Sequence, residues 1–227
     1  MVSDALMRVA GDALAQALES LDGLFVGYKQ RKKVVDLTGS TASVALLSPL
    51  GEAAAVCNIG DSRVALAGGW EVIEHRGRDP HVLSDEDLVL TGAHTPADPD
   101  EQERIKAAGG FVEYGRNGYR VNGVLAVSRA LGYAGSSDFA EVISAKADTM
   151  ILRRPAQKDR SAAVMIATDG MYEKMLAEEL FLDIAAAGTD GAAVKEKMNL
   201  ALGVAGGLGT PDDNATILTC VLPPAPA

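Results

Sequence analysis

Aromatic side chains make up only 4% of the 227 residues against a hydrophobic share of 48%, so alanine, valine and leucine must fill most of the core. Cysteine is scarcer still. The two, Cys57 and Cys220, stand in the apolar runs "AAAVCNIG" and "ILTCVL". That excludes a disulfide framework and a cysteine-based zinc site, and it predicts two buried free thiols. No uninterrupted apolar run approaches the roughly 18 residues of a membrane-spanning helix. Asp4, Arg8, Asp12 and Glu19 also interrupt the N-terminal stretch where a secretion signal would need an unbroken apolar block. A soluble intracellular protein is the expectation. Basic residues are in deficit, 21 Lys and Arg against 31 Asp and Glu, and a net charge of -10 argues against a nucleic-acid or anionic-membrane surface. Neither a Ser-His nor a Cys-His arrangement suitable for a protein nucleophile stands out.

What is there suits one domain. Residues 3 to 21 carry Leu6, Val9, Ala13, Ala17 and Leu21 at helical spacing, with Ser3 placed to cap the helix and Asp4 in its first turn. Residues 39 to 69 read as two or three strands with turns at "SPLG" and "GDSR", and "WEVIEH" as another strand. Residues 76 to 100 are polar and turn-rich, and read as irregular. "DEQERIKAAGG" is a short helix closed by Gly109-Gly110, and "FVEYGRNGYRV" a hairpin about Asn117-Gly118. "GVLAVSRALG" reads as a strand running into a helical turn, residues 134 to 148 as a loop and "VMIATDG" as a strand. Helices over 171 to 187 and 191 to 202 and a last strand, "NATILTCVL", complete the chain. Strands cluster with tight turns instead of alternating with helices, which predicts an α+β fold with antiparallel sheets. The glycine-rich "GVAGGLGT" follows a helix, precedes a strand and lacks a Gly-Lys-Ser/Thr ending, so it is read as a connector and not a nucleotide loop.

Three aspartates share one context. Asp61 in "CNIGDSR", Asp169 in "IATDG" and Asp213 in "PDDNATIL" each sit at the edge of an apolar strand beside a small or turn residue. Turn chemistry explains any one of them. Three together point to a hard-cation site built from oxygens, suited to magnesium or manganese.

The ordered blocks "GSTA", "NIGDSRVAL", "EQERIKAAGG", "RVNGVLAVSRALG", "ATDGMYEKM" and "DDNATIL" resemble the PPM family of metal-dependent protein serine/threonine phosphatases (protein phosphatase type 2C). The resemblance implies an antiparallel β-sandwich flanked by helices, a single domain over residues 1–222 with an insertion at about 70–93, and a short tail at 223–227. It implies a two-metal centre of Mg2+ or Mn2+ that hydrolyses phosphoserine and phosphothreonine with a bridging water. Asp169 and Asp213 match ligands of one core metal, and Asp61 matches a ligand of a third, weaker metal. Glu173 stands where the family usually has an aspartate. Arg120, Ser128 and Arg129 match segments bordering the catalytic groove, and His94 matches a structural or groove-edge position.

The family's Arg-x-x-Met-Glu-Asp and Asp-Gly-His-Gly-Gly blocks, which carry a phosphate-binding arginine and the carboxylate bridging both metals, have no counterpart here. Asp4, Asp12 and Asp22 lack those flanks and are read as solvated acids. The expectation is a partial metal site with weak binding and impaired turnover, in either a shortened phosphatase or a noncatalytic interaction module that binds a phosphoprotein or kinase complex. Without the hairpin, sheet edges are left uncovered and a homodimer could form through them.

Overall fold

Residues 53–67, "AAAVCNIGDSRVALA", are small or β-branched almost throughout, and small side chains let a strand be covered closely on both faces. In the computed structural model, which describes residues 2–33, 37–83, 88–154, 161–172, 177–207 and 216–224, this stretch lies at the centre. In chain order the elements are α1 (Asp4–Lys32), β1 (Ala42–Leu47), β2 (Ala53–Ile59), β3 (Arg63–Ala67), β4 (Glu71–Arg76), β5 (His81–Leu83), β6 (Leu88–Leu90), α2 (Pro99–Ala107), β7 (Val112–Gly115), β8 (Gly118–Val121), β9 (Asp148–Arg153), β10 (Ala162–Ala167), α3 (Asp169–Tyr172), α4 (Ala177–Ala186), α5 (Gly191–Gly207) and β11 (Ile217–Leu222). One sheet has the order β1-β2-β9-β4, the other β11-β10-β3-β6-β5, and β7-β8 form a separate hairpin. All pairings between strands are antiparallel.

The two sheets meet through Val56, Met150 and Leu152 on one side and Val64, Leu66, Val89 and Val164 on the other, with Trp70 buried at 2% exposure among them. Helix α4 covers the outer face of the second sheet, placing Phe181 and Ile184 against Ala65, Ala163 and Met165. Helix α1 covers the first sheet through Met7 and Leu18, on Ala55 and Ile151 and on Cys57 and Ile59 respectively. The sandwich is the expected one, and its shortage of aromatics is met by alanine-rich strands that bring the helices close. Gly11 of α1 is one such contact: a Cβ there would come within 2.9 Å of Ile151 Cδ1.

Several elements depart from the sequence reading. Helix α1 runs to Lys32 instead of ending near residue 21. Its second half is held by tertiary contacts that outweigh the helix cost of Gly23 and Gly27: Asp22 accepts the Gly132 N–H, and Phe25 lies against Gly132. Asp22 is therefore buried, not a solvated acid, while Asp12 and Asp4 pair with Arg76 and Arg153. Strand β9 went unread, and β5 and β6 lie in the stretch read as irregular. Each is short, and strands of three to six residues carry little period-two signal. "GVLAVSRALG" forms turns and isolated bridges, Val121↔Leu125 and Arg129↔Ser144, in place of a strand. The hairpin turn falls on Arg116-Asn117, because Gly115 pairs with Gly118. Asp85, Glu86 and Asp87 of the insertion lie outside the described residues.

The thiols separate. Cys57 is fully buried, and burial, then the charge of Asp12, push its pKa up to about 12. Cys220 is exposed, correcting the expectation of two buried thiols, because β11 is the last strand of its sheet and Cys220 shares its outward face with the exposed Leu218. A native thiol titration at pH 8 is expected to show one fast-reacting group, with the second appearing only on unfolding. Two fast groups would contradict the burial of Cys57.

Candidate functional site

Register brings two of the sequence-marked aspartates to one end of the second sheet. Arg63 of β3 pairs with Ala167 of β10, so Asp61, two residues before Arg63, and Asp169, two residues after Ala167, leave the sheet side by side. Both line a cleft of about 810 Å³. Thr168 ends β10 by donating its N–H to Thr216 O at 3.1 Å, while its Oγ1 accepts from Thr216 N–H at 2.9 Å. The one-turn α3 then begins, with Asp169 Oδ1 accepting the Gly170 N–H at 2.9 Å and Met171 buried beneath as its anchor.

Arg120 and Tyr119 of β8 and the segment Thr95–Ala97 line the same cleft. Arg120 donates to Tyr119 O at 3.0 Å, which uses one of the five N–H groups of a guanidinium. Tyr119 packs edge-on against Tyr114 at 4.9 Å between ring centroids, and Tyr114 is 72% exposed. Asp61, Asp169 and Arg120 are thus gathered around one cavity. Glu173 and Asp213 lie outside the described residues.

The segment of Ser128 and Arg129, expected at the groove border, reaches the cleft through Ala126, and Arg129 itself is half-buried. Ser128 is fully buried, and its Oγ has no hydrogen-bond partner among the described residues. Arg129 Nε and Nη2 donate to Glu101 Oε1 at 3.0 and 2.6 Å, and Nη1 donates to Asp148 Oδ1 at 2.9 Å. Arg104 adds bonds to Glu101 Oε2 at 3.2 and 3.0 Å. Burial alone would raise the Glu101 carboxyl, but the hydrogen bonds and charges of Arg129 and Arg104 reverse this and hold it at about 2. Asp148 is likewise held below the ordinary carboxylate value: burial opposes, and His94, the Arg78 N–H and Arg129 prevail.

Glu101, Asp148 and His94 are the members of this network that sequence reasoning did not connect. The Glu101–Arg104 spacing of i,i+3 on a helix was a usable signal. Asp148 had none, because it opens the unread strand β9.

The donor chemistry around the cleft fits a hard divalent cation, since carboxylate oxygens are what magnesium and manganese take. Among the described residues, no group of three or more His, Cys, Asp and Glu side chains is placed to hold an ion. Asp61 and Asp169 therefore fit an ion that keeps much of its water.

The fold of antiparallel sheets and flanking helices is one shared with solved protein phosphatase 2C structures. The family model described as protein phosphatase 2C matches residues 3–201, and the chain belongs to that family. It is 31% identical over 162 residues to a probable protein phosphatase 2C 8 of Oryza sativa subsp. japonica, covering 71% of this chain and 34% of the relative. It is also 32% identical over 187 residues to human protein phosphatase 1A, covering 75% of this chain and 43% of that protein. The chain thus spans between a third and a half of these two relatives. Among solved structures it is similar to a serine-threonine phosphatase 2C from Toxoplasma gondii, at TM-score 0.66 and 25% identity over 93% of this chain and 67% of the other. A C. elegans sex determining protein shares the fold, at TM-score 0.67 and 24% identity over 94% of this chain and 47% of that chain. The family is metal-dependent. Among the described residues no helix is long and apolar enough to cross a membrane.

Proposed function

We propose that the cleft between β8 and the ends of β2 and β10 binds a magnesium or manganese ion through Asp61 and Asp169, with Glu173 and Asp213 contributing, and receives the phosphate of a phosphoserine or phosphothreonine in a protein. The observation that carries this reading is the gathering of Asp61, Asp169 and Arg120 around one cavity of about 810 Å³. A divalent cation supplies polarisation of a phosphoryl oxygen and acidification of a bound water. The chain's own part is to bind and orient. Two carboxylates would hold the ion, and the planar guanidinium of Arg120, which lines the same cleft, has N–H groups suited to phosphate oxygens.

Turnover by these 227 residues is proposed to be weak or absent. What supports this is that neither an Arg-x-x-Met-Glu-Asp nor an Asp-Gly-His-Gly-Gly stretch occurs among them, so the bridging carboxylate of the two-metal centre is not supplied. The second reading is a noncatalytic module that holds a phosphoprotein, and the exposed Tyr114, edge-on against the cleft-lining Tyr119, favours it as a contact surface.

Manganese calorimetry run beside a phosphopeptide turnover assay tests both. Binding is expected in the range of a weak, hydrated site, and Asp169→Asn should weaken it by at least tenfold. Binding without turnover favours the module, and binding with Asp169-dependent turnover at ordinary enzyme rates overturns the proposed impairment. An Asp169→Asn protein that binds manganese as wild type does would sink the cation site.

A further inference from the structure

The turn that carries Asp61 is held from behind by a buried histidine. Gly60 donates its N–H to His94 Nδ1 at 3.0 Å, and His94 donates its own N–H to Gly60 O at 3.0 Å. A backbone N–H can only donate, so Nδ1 is the unprotonated ring nitrogen and the proton sits on Nε2. From there it is donated to Asp148 Oδ2 at 2.9 Å. Asp148 is fixed in turn by Arg129 Nη1 at 2.9 Å and by the Arg78 N–H at 2.8 Å. His94 is fully buried, its carbonyl accepts the Ser128 N–H at 3.1 Å, and the chain leaving it is the cleft wall Thr95–Ala97. One ring therefore ties the Asp61 turn to the Thr95–Ala97 segment that lines the same cleft.

We propose that His94 is a positioning residue for the cleft: its Nδ1 fixes the Gly60-Asp61 turn, and the affinity of the cleft for a divalent cation follows that one hydrogen bond instead of following the stability of the fold. The inference rests on the reading of the cleft as a cation site. Asp148 orients the ring by accepting its Nε2 proton, and Arg129 holds Asp148 through the charge they share. Such support matters because a ligand displaced by a fraction of an ångström loses much of its hold on a metal.

Isosteric replacements separate the two ends of the ring. His94→Asn sets an amide oxygen near the place of Nδ1 and keeps an acceptor for Gly60. His94→Gln sets an amide nitrogen near the place of Nε2 and keeps only the donor to Asp148. Asp148→Asn keeps an acceptor for the Nε2 proton but gives up the charge pairing with Arg129, so it loses stability without losing the Gly60 bond. In 15N-labelled protein the wild-type His94 ring is expected to be the Nε2–H tautomer. The Gly60 amide should be protected from exchange in wild type, His94→Asn and Asp148→Asn, and exchange at least tenfold faster in His94→Gln. Manganese should bind at least tenfold more weakly to His94→Gln than to His94→Asn or Asp148→Asn, whatever the order of their melting temperatures.

An Nδ1–H tautomer or an imidazolium in wild type overturns the proposal. So does a manganese affinity that falls with melting temperature in His94→Asn or Asp148→Asn while the Gly60 amide stays protected. If His94→Gln does not fold, a loss of Gly60 protection or a tenfold loss of affinity in Asp148→Asn overturns it equally. Wild-type protein that binds no manganese defeats the cation reading and the affinity claim together, while the tautomer and the Gly60 exchange still decide whether His94 holds the turn.

Discussion

Arg129→Ala is expected to lower the free energy of unfolding by about 3–5 kcal/mol, a large part of the roughly 5–15 kcal/mol that holds an ordinary domain together. The side chain of Arg129 is 13% exposed and those of its two partners, Glu101 and Asp148, are 3% and 12% exposed. Removing the cation leaves two carboxylates inside the protein with part of their compensation gone. Arg104 still reaches Glu101, and His94 and the Arg78 N–H still reach Asp148, so the domain is weakened but not stripped of all partners. Urea unfolding at pH 7 measures the effect. A change below 1 kcal/mol would mean that the carboxylates are solvated and that the network contributes little.

The pH dependence carries the same signature. The folded pKa of Glu101, about 2, lies below its ordinary value of 4.5. A depressed carboxylate contributes stability that is present above the unfolded pKa and is lost as pH falls through the folded one. Glu101 thus contributes on the order of 3 kcal/mol at neutral pH, lost between about pH 4.5 and 2. Without Arg129 much of the depression disappears, so the gap between wild type and Arg129→Ala should narrow as pH falls through that window. A gap that stays constant would mean that the loss at pH 7 comes from packing of the arginine stem and not from its charge.

Gly60→Ala is expected to cost about as much, for a different reason. Gly60 has φ +97, where an L side chain is strained by at least about 1–2 kcal/mol. Its Cβ would overlap Thr41 Cγ2 and stand 2.7 Å from Thr41 Cβ. Thr41 cannot swing aside freely, because its Oγ1 is hydrogen-bonded to Ser62 Oγ at 3.0 Å. Overpacking at such a site adds about 1–3 kcal/mol. The turn also holds the Asp61 side of the cleft, so manganese affinity should fall along with stability. Thr41→Ser in the same protein removes the Cγ2 overlap and should restore part of the stability, leaving the backbone strain. Gly60→Ala within 0.5 kcal/mol of wild type would mean that the turn can adopt another path.

The sequence was most informative where function concentrates chemistry at a strand end. Asp61 and Asp169 were marked by their placement between an apolar run and a turn, and β3 and β10 then bring them to one cleft. Arg120 was marked only by family resemblance, and it lines the same cavity. Ser128 and Arg129 carried the same kind of mark, and their segment lines the cavity through Ala126, while Ser128 is buried and Arg129 is committed to Glu101 and Asp148.

By themselves, the residues determined the antiparallel sheets, the alanine-filled core, the hairpin and the carboxylates at strand tips, since each follows from local pattern or side-chain size, while the sandwich arrangement was implied by the family resemblance. Only the tertiary structure decided that α1 continues past its glycines, that Cys220 is exposed while Cys57 is not, and that His94, Asp148, Arg129 and Glu101 form one chain of contacts behind Asp61. The physical reason is the same in each case. Local sequence sets what a segment prefers, but which strand lies at an edge and which charge meets a partner depend on residues far apart in the chain, 110 positions in the Gly132–Asp22 bond and 149 in the Arg153–Asp4 pair.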